Sequence, residues 1–274
     1  MIYHVSMSAT ANSFGPLLRE WRQRRRVSQL DLSLDGNISA RHLSFLETGR
    51  ARPSRDMVLQ LAEQLAVPLR ERNVLLAAAG FAPVFSEKKL DDPALGAARQ
   101  AIELVIRGHE PYPAVAVDRH WTLVAANDAL PLLVAGVDAA LLQPPINVMR
   151  LALHPDGLAP RITNLPEWRT HLLERLHQQV EATADPVLVT LLDELRAYPS
   201  PRVPHPPRAR RDYAGMVVPL ELVTDAGLLA FFSTVTVFGT PVDVTLSELA
   251  LECFYPADEE TAEVLRRAAK SQSR

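Results

Sequence analysis

The sequence predicts two domains: an all-α module of five helices over residues 14–80, and an α+β domain on an antiparallel sheet over residues 112–258. Residues 81–111 connect them, and 259–274 form a C-terminal helix and tail. Three observations carry this prediction. A chain of 274 residues is long for one domain and comfortable for two. The hydrophobic spacing is helical before Gly80 and changes to the alternation of strands after Pro113. Residues 14–80 hold eleven Arg against seven acidic side chains, +4, so the net charge of −3 leaves −7 on the rest. A basic module joined to an acidic one suits a partner rich in phosphate.

The first helix spans about 14–26, with Leu17, Leu18 and Trp21 apolar and Arg24, Arg25 and Arg26 in its last turns, where the helix dipole favours cations. Ser28 is a good N-cap for a second helix from Gln29, with Asp31 as the acidic partner of a capping box. That helix ends at Gly36-Asn37, residues that tolerate the left-handed backbone of a tight turn. The third helix starts near Ser39 and seats Ile38, Leu43 and Leu46 on the core. Ser39, Ala40, Arg41, His42 and Ser44 are left facing outward.

Helix, tight turn and helix with a polar leading face is the form that enters a DNA major groove. Arg41 can bond guanine O6 and N7, and Ser39 and Ser44 can bond base edges or phosphates. Gln29 stands where amide and backbone N–H groups meet a phosphate. Arg50, Arg52 and Ser54, in the basic loop that follows, suit positioning on the backbone, and Ser54 can also cap the next helix. Each Arg taken singly also fits a solvated surface. Two more helices follow at 55–66, with Val58, Leu59, Ala62 and Leu65 inward, and 70–79.

With these residues, positions 14–80 resemble the phage-repressor (XRE-type) helix-turn-helix family. By that resemblance Ser33 is the small residue inside the first motif helix, and Asn37 stands at the turn glycine. Gly36 occupies a usually apolar position, which implies a locally altered turn. Glu47, before Thr48-Gly49-Arg50, is implied to be a structural brace rather than a DNA contact.

Beyond the junction, where a helix over 93–107 serves as a linker or a dimerisation helix, AVAV (114–117) and TLVAAN (122–127) read as a hairpin. Helices are expected at 128–136, 146–153, 165–183 and about 186–197. The proline-rich run 198–211 is a loop, because proline breaks helix and strand interiors. Strands at 215–223, 227–238 and 246–254, then a helix at 258–270, complete a five-stranded antiparallel sheet with helices on one face. VDRHWTLVAAN (117–127), NVMRLALHPDGLAPRITN (147–164) and the run 231–258 resemble the ligand-binding domain of MmyB-like transcription regulators. RHLSFLETGRARPS (41–54) and LRERNVLLAAAGFAP (69–83) resemble that family's version of the DNA-binding module. The resemblance implies a PAS-like sensor fold associated with fatty-acid-type ligands.

The strand 228–238 alternates, and one face carries Leu228, Ala230, Phe232, Thr234, Thr236 and Phe238, apolar walls with hydroxyls that suit an amphiphile. Asn127, Asn147, Arg150 and His154 are candidate polar anchors, the last three spaced to share one helical face. An Arg–His pair can hold a carboxylate. The alternatives are that Arg150 and His154 pin the HPDG turn and that Asn127 caps a strand. Trp121 and Trp168 read as core residues.

Enzyme chemistry finds little support. His171 and His177 lack zinc-like partners, no phosphate loop or nucleophile elbow occurs, and Cys253 lies in a strand-like run. No cofactor or metal is expected. No apolar run reaches the roughly 18–20 residues of a membrane span, and MIYHVSMSATANS lacks the marks of a signal peptide. One cysteine fits a reducing compartment, so the expected location is cytoplasmic. The expected protein is a homodimeric transcription regulator that binds a double-stranded DNA operator and senses a small amphiphile, expected to be a fatty acid. The alternative is a regulator whose second domain is a protein-interaction module with no ligand.

Overall fold

The computed structural model describes residues 13–199, 218–237 and 243–272. The opening segment, most of the proline-rich run, the start of the strand expected at 215 and Phe238 lie outside the described residues. Two compact units are present, one running to Glu87 and taking in Asp243 and Val244, the other holding the rest from Lys88 onward.

The first unit contains α1 (Phe14–Arg24), α2 (Gln29–Asp35), α3 (Ala40–Glu47), α4 (Arg55–Gln64) and α5 (Leu69–Ala78). Three serines start three of these helices. The hydroxyls of Ser28, Ser39 and Ser54 accept from the backbone N–H groups of Asp31, His42 and Met57 at 3.1, 3.1 and 3.2 Å. Ser28 also donates to the Asp31 carboxylate at 2.6 Å, so the expected N-cap pair meets side chain to side chain. Leu18, Trp21, Leu32, Leu43, Leu46, Val58 and Leu75 fill the core. Leu61 of α4 is buried there while the expected Leu59 is half-exposed, because α4 turns its Val58–Leu61–Ala62–Leu65 stripe inward. At Gly15, α1 touches α3 through backbone alone: a Cβ there would stand 2.5 and 2.6 Å from the carbonyl oxygens of Leu46 and Glu47.

The second unit begins with α6 (Gly96–Gly108) and is built on five antiparallel strands, β1 (Ala114–Val117), β2 (Leu123–Ala126), β3 (Leu220–Thr224), β4 (Gly227–Val237) and β5 (Ala250–Pro256). Their order is β2-β1-β5-β4-β3. The helices are α7 (Leu130–Val134), α8 (Val148–Leu153), α9 (Leu165–Thr183), α10 (Pro186–Ala197), the single turn α11 (Val244–Ser247) and α12 (Glu259–Gln272). This is the α+β, PAS-like architecture expected. The main core joins Val115, Val117, Leu222, Leu229 and Phe231 of the sheet to Trp168, Leu172 and Leu176 of α9 and to Leu188 and Leu192 of α10.

Helices were expected on one face only, and here the structure differs. Ile102 and Ile106 of α6 pack against the opposite face, on Ala114, Ala116, Leu251 and Cys253. All four residues of β1 are buried. Its two small alanines face α6 and its two valines face the main core, so AVAV is a strand covered on both sides. Leu246, expected in the last strand, belongs to α11, and β5 starts at Ala250.

Strand β4 presents the other face from the one expected. Leu229 and Phe231 point into the main core, Phe231 fully buried. Phe232, on the opposite side, stacks on Tyr255 at 5.3 Å between ring centroids, and Thr234 is exposed. The segment Leu228-Leu229-Ala230-Phe231-Phe232 is apolar at every position, so alternation alone could not choose its inward set. The inward set packs on residues distant in sequence, among them Trp168, Leu172 and Leu188, and the Thr261 hydroxyl of α12 accepts from the Ala230 backbone N–H at 3.0 Å.

Candidate DNA interface and ligand cavity

The turn between α2 and α3 divides its tasks between two residues. Asn37 takes the left-handed backbone, φ 49°, while Gly36 stays right-handed at φ −80°. Gly36 serves space instead: a Cβ would lie 3.0 Å from the Leu32 carbonyl oxygen and 3.2 Å from a Leu61 methyl. The Gln60 amide then donates to the Gly36 carbonyl at 3.0 Å and ties the turn to α4.

Behind α3, Glu47 is a buried hub. Arg22 donates to both of its oxygens, Nε to Oε1 at 2.6 Å and Nη2 to Oε2 at 3.0 Å. These bonds raise the arginine's pKa further, against the opposing effect of burial. Gln29 Nε2 donates to Oε2 at 2.7 Å, and Arg22 Nη1 to the Val27 carbonyl at 2.9 Å. Glu47 thus joins α1, α2 and α3, the bracing that family resemblance implied. The Gln29 amide, expected at a phosphate, faces this hub.

Outside the brace, Ser39, Ala40 and Arg41 are exposed at the start of α3, with His42 and Ser44 half-buried behind them; Arg50, Arg52 and Ser54 are exposed in the following loop. Ser39 and Ser54 use their oxygens as caps and keep a hydroxyl proton for a further acceptor. Phe45, which sequence reasoning did not single out, lies between two of these cations. The guanidinium of Arg41 is 5.4 Å and that of Arg50 5.9 Å from its ring centroid. Such contacts restrict a long side chain at small energetic cost. The spacing Arg41–Phe45, one helical turn, was the available signal.

The candidate anchors of the second unit do not converge. Asn127 is buried and committed to backbone: its oxygen accepts from Ala114 N–H at 3.1 Å, and its amide donates to the carbonyls of Ile106 and Tyr112 at 3.2 and 2.7 Å. It clips the end of α6 to β1. Asn127→Ala is expected to lower stability by about 2–3 kcal/mol, since it strands several buried backbone groups. Chemical denaturation measures this, and a cost under about 0.5 kcal/mol would contradict the clip.

Asn147, Arg150 and His154 do not share a helical face, because α8 has only six residues. Asn147 is its N-cap, with Oδ1 accepting from the Met149 and Arg150 N–H groups, each at 3.1 Å. His154 is already extended, beyond the last turn. Arg150 is held by both Glu194 oxygens at 2.7 Å, and this guanidinium keeps Glu194 below the usual carboxylate range. Tyr198 donates to Glu194 at 2.5 Å. Its phenol is pushed up to about 12, by burial first and then by Glu194. His154 meets Tyr198 edge-on at 5.0 Å. Asn147 and Arg150 border a surface groove of about 350 Å³ with His120, Thr190 and Leu191.

The apolar cavity lies elsewhere, between the sheet and α7, α8 and α9. It measures about 80 Å³ and is lined by Trp121, Leu133, Met149, Trp168, Leu172 and Phe254, among others. Neither Phe232 nor Thr234 borders it, as the inverted face of β4 requires. The two tryptophans are core residues, as expected, and also cavity walls. Glu252 is the charged residue among the described lining. Its Oε1 accepts from Arg175 Nη1 at 3.1 Å and from the Ser233 hydroxyl at 2.9 Å. Nearby His171, its ring 5.5 Å from that of Trp168, has its pKa lowered by burial and then by Arg175. Sequence reasoning missed Glu252 and Arg175 because they stand 77 positions apart. Cys253 faces α6 on the other side of the sheet, and burial raises its thiol pKa.

A helix-turn-helix unit with an exposed, braced third helix, next in sequence to an α+β unit with an apolar cavity, defines a DNA-binding transcription regulator that carries a ligand-binding domain. Comparison with known families agrees. Residues 18–72 match the helix-turn-helix family model, and residues 98–268 match the MmyB-like transcription regulator ligand binding domain. The chain belongs to the MmyB-like transcription regulators. Both matched families are regulatory, DNA-binding or ligand-binding domains rather than enzymes. No curated protein matches. Among solved structures the chain is similar to an RNA-binding light-oxygen-voltage receptor, at 15% identity and a TM-score of 0.26. That match covers 96% of this chain and 65% of the receptor chain. Among the described residues no helix is long and apolar enough to cross a membrane.

Proposed function

We propose that this protein is a cytoplasmic, homodimeric regulator that reads a two-fold-related operator in double-stranded DNA and responds to a small amphiphile of the fatty-acid class. The observation that carries the DNA half is the exposed start of α3 on a buried brace, with Arg41 leading. Arg41, with Ser39, Ala40, His42 and Ser44, reads bases, while Arg50, Arg52, Ser54 and the N-terminal end of α2 at Gln29 position the backbone. Two such heads on one operator would address half-sites about 34 Å apart.

The ligand half is supported by the apolar cavity. Its volume is below the roughly 150 Å³ that admits benzene in an engineered protein core. An alkyl chain therefore enters only as the wall yields, and Met149, unbranched and adaptable, stands on that wall. A ligand that binds the open and closed forms with different affinity shifts the balance between DNA-competent and incompetent states.

Selection of bound DNA fragments with and without added fatty acid tests both halves. A recovered two-fold motif whose occupancy changes with lipid supports the reading. A motif indifferent to every lipid favours the interaction-module alternative. Within the motif, Arg41→Ala is expected to lower the preference for operator over random DNA by about tenfold or more. Arg52→Ala is expected to reduce the salt slope by about one and leave preference intact. Equal loss on operator and random DNA for Arg41→Ala would remove its reading role.

A further inference from the structure

Trp168 and Trp121 both line the cavity and differ in one respect. The Trp121 indole N–H donates to Gln179 Oε1 at 2.7 Å. The Trp168 indole N–H is buried and, among the described residues, has no acceptor. A buried donor without a partner is costly, and a ligand oxygen against it would remove that cost. The other polar feature of the lining is Glu252, itself almost fully buried.

Glu252 is already paired with a cation. Arg175 bonds to the carboxylate and lies over the Trp121 ring at 4.5 Å. Neither Arg175 nor His171 is among the described lining residues. The polar side-chain groups carried by the described lining residues are therefore one carboxylate and two indole N–H groups, of which that of Trp168 is unpartnered. A negative charge placed there would compete with Glu252 for Arg175, the cation already committed to that carboxylate.

Resting on the ligand-binding reading above, we propose that the cavity accepts an alkyl chain whose head group is an uncharged hydroxyl-bearing oxygen. The Trp168 N–H donates to that oxygen, and Glu252 excludes the anionic form. A fatty alcohol satisfies this directly, and a fatty acid satisfies it only when protonated. Arg150, spent on Glu194, takes no part.

Calorimetric titration of the full-length protein with 1-octanol and with octanoate, at about pH 6 and about pH 8, tests the proposal. Octanol is expected to bind alike at both. Octanoate is expected to bind about 100-fold more weakly at the higher pH, since its uncharged fraction falls tenfold per unit above an ordinary carboxyl pKa. Octanol at the same two values accounts for any effect of pH on the protein itself, His171 included. Trp168→Phe keeps the ring, removes the N–H, and is expected to weaken octanol about fivefold, the loss of one neutral hydrogen bond. Glu252→Gln is expected to strengthen octanoate at the higher pH about tenfold relative to octanol.

Octanoate binding that is independent of pH, or tighter than octanol at the higher pH, overturns the uncharged head group while leaving a lipid-binding regulator. Failure of both probes at both values overturns the ligand-binding reading and this inference together. The wild-type pH series stands without either variant, so a variant that does not fold leaves the test intact.

Discussion

Glu47→Ala is expected to destabilise the DNA-binding unit by about 3–5 kcal/mol. The substitution strands a buried guanidinium, and an uncompensated buried charge is among the most costly single defects a small domain can carry. It also releases Gln29, so α1, α2 and α3 lose their common partner at once. Against a typical domain stability of about 5–15 kcal/mol, much of the unit's margin would go. Removing both charges, as in Arg22→Met with Glu47→Leu, is expected to recover most of the loss, since the pair's own net contribution is small. Urea denaturation of the three proteins decides the matter. A loss under about 1 kcal/mol for Glu47→Ala would show that the hub is solvated in solution.

The second large effect is expected at Phe231. Phe231→Ala removes a fully buried ring that packs edge-on to Phe254 at 6.3 Å, and the expected cost is about 3–5 kcal/mol. Phe232→Ala breaks a stacked pair with the exposed Tyr255, at an expected cost of about 1 kcal/mol. Thermal denaturation of the two variants side by side reads the register of β4. The reverse order of costs would restore the face that strand alternation first suggested.

Much of the fold was legible because its signals are local. Ser28, Ser39 and Ser54 each announce a helix start within three residues, and the stripes of α4 and α9 repeat at helical spacing. The hairpin β1–β2 and the strands β3 and β4 follow from short apolar runs between turn residues. Two things were hidden. Where a segment is apolar throughout, as at 228–232, period two gives no inward set, and neighbours distant in sequence decide. AVAV at 114–117 concealed its second covered face for the same reason.

The ligand site was less legible than the DNA interface for a related reason. Arg41 and its neighbours lie on one short helix, so spacing locates them together. The cavity's polar features come from α9 and β5, and no local pattern joins Arg175 to Glu252. Asn147, Arg150 and His154 had the spacing of a helical face but not a helix long enough to display it. Asn127 looked like an anchor and is a clip, a distinction that depends on which backbone groups lie beside it.

The distribution of the three tryptophans gives the molecule an internal optical reporter. Trp21 sits in the core of the first unit, while Trp121 and Trp168 stand on the wall of the cavity in the second. A Trp21→Phe protein would therefore emit from the cavity alone, and a bromine-bearing alkyl chain entering there would quench it by contact. The same protein mixed with operator should stay dark to the DNA and bright to the lipid's absence. Occupancy of the cavity could then be followed in the presence of operator, with no tryptophan signal from the first unit.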